Sequence, residues 1–411
     1  MPDSSTVPDA STAINPLVAA MRPSATMAMS GRAKALAREG RPVIALSAGE
    51  PDFVTPDPIR EAAIKAVEDG FTSYTANAGM PELREAIAEK LQRENGLTYS
   101  PEEIVCSNGA KQAVAQSVLA LLQPGEEVLI PAPYWVSYPE MVRLAGGVPV
   151  PVETRPEDGY RLTPEALQAA ITPETRLLIL NSPSNPTGAV LHREHLEAIA
   201  DVLRAHPSIV VISDEIYEYV MFGPEHVSFA AVDGMHGRTI TVNGFSKGFA
   251  MTGWRLGYLA APAWISKAAS KIQSQFTSAP SSITQKAGLA AIEMVREDDG
   301  LIQEMVGSFH SRRDMVLARL RELPGVVCPE PEGAFYLFPD VSAYFGKTAP
   351  DGRAIDGSEA LCFHLLERHD VALVPGSAFG ADYGARLSYA AAPADLETAM
   401  DRVAAGLAEL R

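Results

Sequence analysis

Apolar residues in this chain recur with two different periods. Short β-branched or aliphatic runs at residues 43–46, 104–106, 128–130, 177–180, 209–213 and 239–242 read as strands. Between them the spacing becomes helical. Ile59, Ala63 and Ala66/Val67 share one face over residues 59–69, and Leu83, Ile87 and Leu91 share another after Pro81, which suits a first helical turn. A segment rich in Ala, Val and Leu runs from Lys111 to Leu122, and a further helix is expected after Pro23, with Ser24 or Thr26 near its cap. Strands alternating with helices over residues 104–260 predict a doubly wound, mainly parallel sheet covered on both faces. Beyond about residue 290 the pattern changes to helices around short strands at 335–338, 371–374 and 386–389. The last helix carries Leu396, Met400, Val403, Leu407 and Leu410 on one stripe, so a separate α+β domain is expected. The predicted organisation is a disordered tail over 1–15, a segment over 16–57 that packs with the small domain, a large domain over 58–290 and a small domain over 291–411. No repeat of solenoid length is present.

Composition narrows the function classes. The 411 residues are 46% hydrophobic and 21% charged, ordinary for a globular chain of more than one domain. The net charge of −17, from 34 basic and 51 acidic residues, argues against nucleic-acid or anionic-membrane partners, which want basic patches. Cys106, Cys328 and Cys362 form no CxxC pair, which predicts a reducing compartment. No apolar run approaches the ~20 residues of a membrane helix, and residues 1–15 lack the basic and apolar regions of a signal peptide. A cytoplasmic protein is expected. Of eight histidines, His192 and His195 are three apart but lack a third ligand; they read as solvated, and no metal site is expected.

The candidate chemistry sits at strand ends. The run at 239–242 feeds Asn243-Gly244, then Ser246 and Lys247 among Gly248, Ala250 and Gly253, and Arg255 follows eight residues after the lysine. A Schiff-base lysine needs partial desolvation and access for a flat cofactor, and arginine suits a phosphate dianion. Taken alone, a loop lysine and a surface arginine explain the same stretch. Ser107-Asn-Gly-Ala-Lys111 joins a strand to a helix, the arrangement in which backbone N–H groups bind an anion, and Lys111 sits where a cation opposes the helix dipole. Gly49 would let the backbone come close to a ligand. Trp135 follows one strand and could stack on a ring or pack in the core. Asn185 leaves a rigid turn, and Asp214 and Tyr217 leave a strand where a carboxylate is costly unless paired or used.

Together these residues supply what pyridoxal 5'-phosphate (PLP) needs: a lysine, an acid for the ring nitrogen, and donors for the phosphate and phenolate. With Ala48-Gly-Glu-Pro-Asp-Phe53, Pro131-Ala-Pro-Tyr-Trp135, Asn181-Ser-Pro-Ser-Asn-Pro-Thr-Gly188, Asp214-Glu-Ile-Tyr217, Ser246-Lys247, Met251-Thr-Gly-Trp-Arg255 and Arg386-Leu-Ser-Tyr389 in this order, the chain resembles the fold type I, class I aminotransferases. It most resembles the bacterial aspartate aminotransferases of subgroup Ib, some of which also act on prephenate. The resemblance implies a mainly parallel seven-stranded sheet between helices with a smaller α+β domain, and a homodimer. It implies that Lys247 is the Schiff-base lysine and proton carrier, that Asp214 holds the ring nitrogen, and that Asn185 and Tyr217 hold the phenolate. Trp135 would stack on the ring. Ser246, Arg255 and the backbone of Gly109 and Ala110 would take the phosphate, and Tyr74 would reach the phosphate of the partner subunit. Arg386, with Asn185 and the Gly49 amide, would clamp the substrate α-carboxylate, and Lys111 would meet the distal one. The family's Lys-Pro-Ser-Ala-Thr stands here as Arg22-Pro-Ser-Ala-Thr26, so the lysine tied to prephenate use is replaced by Arg22, a candidate substrate contact. The expected reaction moves the amino group of L-aspartate to 2-oxoglutarate by a ping-pong route. Alternatives are an aminotransferase of broader, aromatic or prephenate specificity, a PLP-dependent carbon–sulfur lyase, and a PLP-binding regulator, against which the absence of room for a DNA-binding domain and the negative charge argue.

Overall fold

The computed structural model describes residues 14–21, 23, 25–223 and 225–411. The expected tail, Ser24 and Arg22 lie outside these, apart from Ile14 and Asn15; Asn15 caps a short helix, Pro16–Ala19, by accepting from the Leu17 amide at 2.9 Å.

In chain order the strands are β1 (Ile44–Ala45), β2 (Ile104–Ser107), β3 (Glu127–Ala132), β4 (Val148–Glu153), β5 (Thr175–Asn181), β6 (Val210–Asp214), β7 (Thr239–Gly244), β8 (Gly257–Ala260), β9 (Tyr336–Leu337), β10 (Val371–Ala372), β11 (Val374–Pro375) and β12 (Ala385–Ser388). Seven of them form one sheet in the order β2-β8-β7-β6-β5-β3-β4, parallel except for β8. The central strands β6 and β7 are buried along their whole length, as the continuous apolar runs require of a sheet covered on both faces. The pleat divides β5 between two cores: Leu177 and Ile179 join Val114, Val118 and Ile265 on one face, and Leu178 and Leu180 join Leu196, Ile199 and Leu203 on the other.

Three strand readings need correction: β4 and β8 are missing from the expected runs, and one expected run is two strands. β4 is absent from the expected set because Pro149 and Pro151 interrupt Val148-Pro-Val-Pro-Val-Glu153. A proline cannot donate to the ladder, and β4 tolerates two because it is the sheet's edge. The single strand expected over 371–374 is two strands in different sheets. β10 runs parallel to β1, whereas β11 pairs antiparallel with β12, which pairs with β9. Residues 371–375 are all buried, so hydrophobicity alone could not reveal the change of partner.

The β1–β10 pairing, the Arg41–Asp370 ion pair (2.6 Å) and the Ser388 amide on the Leu46 carbonyl (2.9 Å) tie the N-terminal segment to the C-terminal elements. The position near 290 where the pattern changes lies inside a continuous helix, Ser282–Glu297. Among the described residues no helix is long and apolar enough to cross a membrane.

Candidate active site

The carboxyl ends of β3, β5, β6 and β7 point the same way, which brings the segments after them to one crevice. A cavity of about 330 Å³ lies there, lined by Gly49, Ala110, Lys111, Trp135, Asn185, Asp214, Tyr217, Ser246, Lys247, Arg255 and Arg386 among others. Tyr74 is not among these; its side chain is 99% exposed elsewhere on the surface. Arg22 lies outside the described residues, although its neighbours Thr26 and Met27 line the same cavity.

One end of the crevice is built to take an anion. The helix Ala110–Leu121 begins here, and among the described residues no acceptor meets the amides of Ala110 and Lys111. Arg255 takes a left-handed backbone (φ 57°), an unusual conformation for a residue with a Cβ, and donates to the carbonyls of Thr252 (2.9 Å) and Asn108 (3.2 Å). These bonds leave part of its donor fork unused. Gly109 permits this approach, because at φ +84° a Cβ there would lie 2.5 Å from Arg255 Nη2. The buried Ser246 hydroxyl faces the cavity with no protein partner among the described residues.

In the floor of the crevice, Asp214 is 4% exposed. Tyr138 donates its hydroxyl to Asp214 Oδ2 at 2.7 Å, and the Ile216 amide donates to Oδ1 at 3.3 Å. Burial raises the Asp214 proton affinity to about 6, against the lowering effect of the Tyr138 and Ile216 bonds, so the group is mainly ionised at neutral pH. Lys247 Nζ donates to the Gly49 carbonyl. Burial, with Arg386 and Arg255 nearby, lowers its pKa to about 8. The Tyr217 hydroxyl lies 2.8 Å from that of Tyr336, and burial raises its pKa well above the ordinary value. A Cβ at Gly49 would come within 2.9 Å of the same Tyr336 hydroxyl.

The opposite wall holds Arg386, 2% exposed, with no carboxylate against it among the described residues. Its Nη1 donates to Asn185 Oδ1 (3.0 Å) and its Nη2 to the Ser47 carbonyl (2.6 Å), while Nε is buried without a partner. The Asn185 amide in turn donates to Asn181 Oδ1 at 2.8 Å, and Asn181 Nδ2 donates to the Asp214 carbonyl at 2.9 Å, fixing the turn. Lys111 Nζ lies 5.1 Å from the Trp135 ring centre, and burial, then Arg255, lowers its pKa. Four cations thus face a cavity whose lining includes one carboxylate, Asp214, in a protein of net charge −17. The arrangement has room and charge for ligands carrying several negative groups.

Two lining residues escaped the sequence reading. Tyr138 stands three positions past Trp135, against which it packs edge-on, and Tyr336 sits in an apolar run that reads as core. The available signal was a buried tyrosine, whose hydroxyl requires a partner. The solvated reading of His192 and His195 is also corrected. Both are half-buried, and His192 contacts Glu332 (3.1 Å) in a cluster with Arg161. Among the described residues two other groups bring potential metal ligands together: His364, His369 and Glu409, and Glu215, Glu218 and His226. Cations already lie beside both, Arg368 on Glu409 and Lys90 on Glu218.

Residues 41–403 match the family model for aminotransferase class I and II. The chain belongs to this family. It is an aminotransferase, an enzyme that moves an amino group between an amino acid and a 2-oxo acid. An aspartate aminotransferase of Pinus pinaster is 53% identical to this aminotransferase over 98% of this chain and 83% of its own length. An aspartate/prephenate aminotransferase of Cereibacter sphaeroides is 48% identical over 96% of this chain and 98% of its own. The crystal structure of an aspartate aminotransferase from Rhizobium meliloti superposes with a TM-score of 0.93 at 44% identity, covering 97% of this chain and 99% of that one.

Proposed function

We propose that this aminotransferase is PLP-dependent and takes L-aspartate as amino donor and 2-oxoglutarate as acceptor. The observation that carries the substrate class is a pair of cations, neither with an ion-pair partner among the described residues: Arg386 buried on one wall and Lys111 beside Trp135. Two anionic groups on one substrate match two such cations.

The residues present fit the cofactor. The unpaired amides of Ala110 and Lys111, the Ser246 hydroxyl and the Arg255 fork form a seat of the right chemistry for a phosphate dianion, and Gly109 is the opening through which Arg255 reaches it. When bound, PLP supplies a carbonyl to receive the amino group and a ring that withdraws electrons from the substrate Cα. Asp214 would hold a proton at the ring nitrogen, its carboxylate kept aimed by Tyr138. Trp135 would cover a ring face, and Tyr217 and the Nδ2 end of Asn185 would donate to the phenolate side. Arg386 binds the α-carboxylate through its fork, already set by Asn185 and Ser47, with the Gly49 amide beside it. Lys247 Nζ would be the group that takes the Cα proton and returns it. A pKa near 8 leaves a working share of neutral amine at physiological pH.

The reading includes a cytoplasmic C2 homodimer in which Tyr74 reaches the partner subunit's phosphate site, supported by the full exposure of Tyr74 here. It also includes a large domain over residues 58–290 and a small domain over 291–411, whose boundary falls within the helix Ser282–Glu297. A second specificity, toward prephenate as acceptor or aromatic amino acids as donors, is favoured by one observation: a further cavity of about 530 Å³ adjoins the first and shares Lys111, Val136 and Ser137 with it. The test is steady-state formation of oxaloacetate from aspartate and 2-oxoglutarate, with Lys247→Ala as comparison. The wild type should turn over, and the variant should lose several orders of magnitude. Comparable activity in both would refute the assignment.

A further inference from the structure

Asp214 ends β6 and Glu215 follows it; the first faces the crevice, while the second bonds to Ser213, Ser228 and Phe229 away from it. The reading above uses only the first. Glu215 is 1% exposed, yet it is held by four donors. Ser213 Oγ (2.7 Å) and the Phe229 amide (3.3 Å) donate to Oε1; Ser228 Oγ (2.6 Å) donates to Oε2, with His226 Nε2 at 2.9 Å. His226 Nδ1 is buried and meets no partner, so the ring gives Glu215 one bond and makes no second. Ser228 Oγ also accepts from Asn95 (2.9 Å), which joins the buried Lys90–Glu218 pair at the end of the helix Pro81–Asn95. The other titratable groups near this carboxylate are the hydroxyls of Tyr99 and Tyr258.

So many donors on a carboxylate keep it ionised where burial alone would neutralise it. Burial pushes the Glu215 proton affinity up, but His226, Ser228 and Ser213 outweigh it and hold it below the usual range. An anion fixed next to Asp214 makes that site hungrier for positive charge, and Glu215 is among the groups that raise the proton affinity of Asp214, after burial. We propose that Glu215 is a positioning residue for the cofactor: a fixed anion behind Asp214 that tightens the grip of Asp214 on a protonated ring nitrogen. This rests on the PLP reading above. A purely structural role, tying the helix Pro81–Asn95 to the sheet, would serve any ring equally.

The experiment compares PLP with an analogue whose ring nitrogen is replaced by carbon, titrated into the cofactor-free protein and followed by quenching of tryptophan fluorescence. The wild type should prefer PLP strongly. In Glu215→Gln that preference should fall on the order of tenfold, the effect of about one pKa unit, because the charge is gone while the shape is kept. In Glu215→Asp, which keeps the charge, it should stay within about twofold of wild type even if both ligands bind more weakly. An unchanged preference in Glu215→Gln overturns the proposal. So does a collapse of the preference in Glu215→Asp, which decides the matter if the glutamine variant does not fold. A wild type that binds neither compound would instead remove the cofactor reading.

Discussion

Arg386 Nη1 donates to Asn185 Oδ1 at 3.0 Å, so a residue of the last strand is locked to a turn of the large sheet. The bond orients the guanidinium fork before a carboxylate arrives. It also fixes which end of the Asn185 amide faces the cofactor side. Arg386→Lys keeps the charge but loses the planar fork and this bond. It should lower kcat/KM for aspartate by about 2–4 kcal/mol, with smaller change in cofactor affinity. A loss of under tenfold in steady-state kinetics would mean that another group binds the α-carboxylate.

Lys111 is expected to separate substrates. Lys111→Ala should reduce kcat/KM for aspartate and glutamate by about 2–4 kcal/mol, and that for alanine or phenylalanine much less, since these carry no distal charge. An equal response to aspartate and phenylalanine would withdraw the dicarboxylate specificity while leaving the aminotransferase intact.

How far the sequence carried this site depends on the kind of residue. Asp214 was legible because a carboxylate at the end of an apolar strand is costly without a use, and Lys247 because small residues surround it just past a strand; Arg386 was legible only through the family resemblance. Trp135 and Asn185 were legible through the same strand ends. The fold was legible where runs are long and alternate with helices. It was not legible at β4, where Pro149 and Pro151 mask an edge strand, or at Leu373, where a buried run changes sheet. Tyr138 and Tyr336 were hidden because their apolar rings fit a core pattern, and only coordinates show where the hydroxyls point. The role proposed for Tyr74, which would need a second subunit, is not written in the spacing of one chain.

Tyr138→Phe removes one of two donors to Asp214. Its loss should raise the Asp214 proton affinity further, since the hydroxyl lowers it. Turnover should fall about tenfold, the worth of one hydrogen bond to a charged group. PLP should still bind, which absorbance at saturation will show. Undiminished turnover would mean that Tyr138 only fills space beside Trp135.

Lys247 also leaves a mark on stability. Its pKa in the folded chain, about 8, lies below its ordinary 10.5. Below pH 8 the folded protein must therefore hold a buried ammonium, a cost that fades as pH rises from 8 toward 10.5. Lys247→Met should stabilise the cofactor-free protein by about 1–2 kcal/mol at pH 7, with the gain shrinking by pH 10. Urea unfolding at both pH values checks this; a variant less stable than wild type at pH 7 would contradict the burial of the amine.

The central claim is that the protein moves the amino group of aspartate through its own cofactor, and a single-turnover half-reaction tests it most directly. PLP-loaded protein is mixed with L-aspartate alone, the products are quantified per active site, and 2-oxoglutarate is then added. The account predicts about one equivalent of oxaloacetate in the first step, and glutamate with return of the original absorbance in the second. Release of free ammonia, or an absorbance that aspartate leaves unchanged while another amino acid discharges it, would contradict the account.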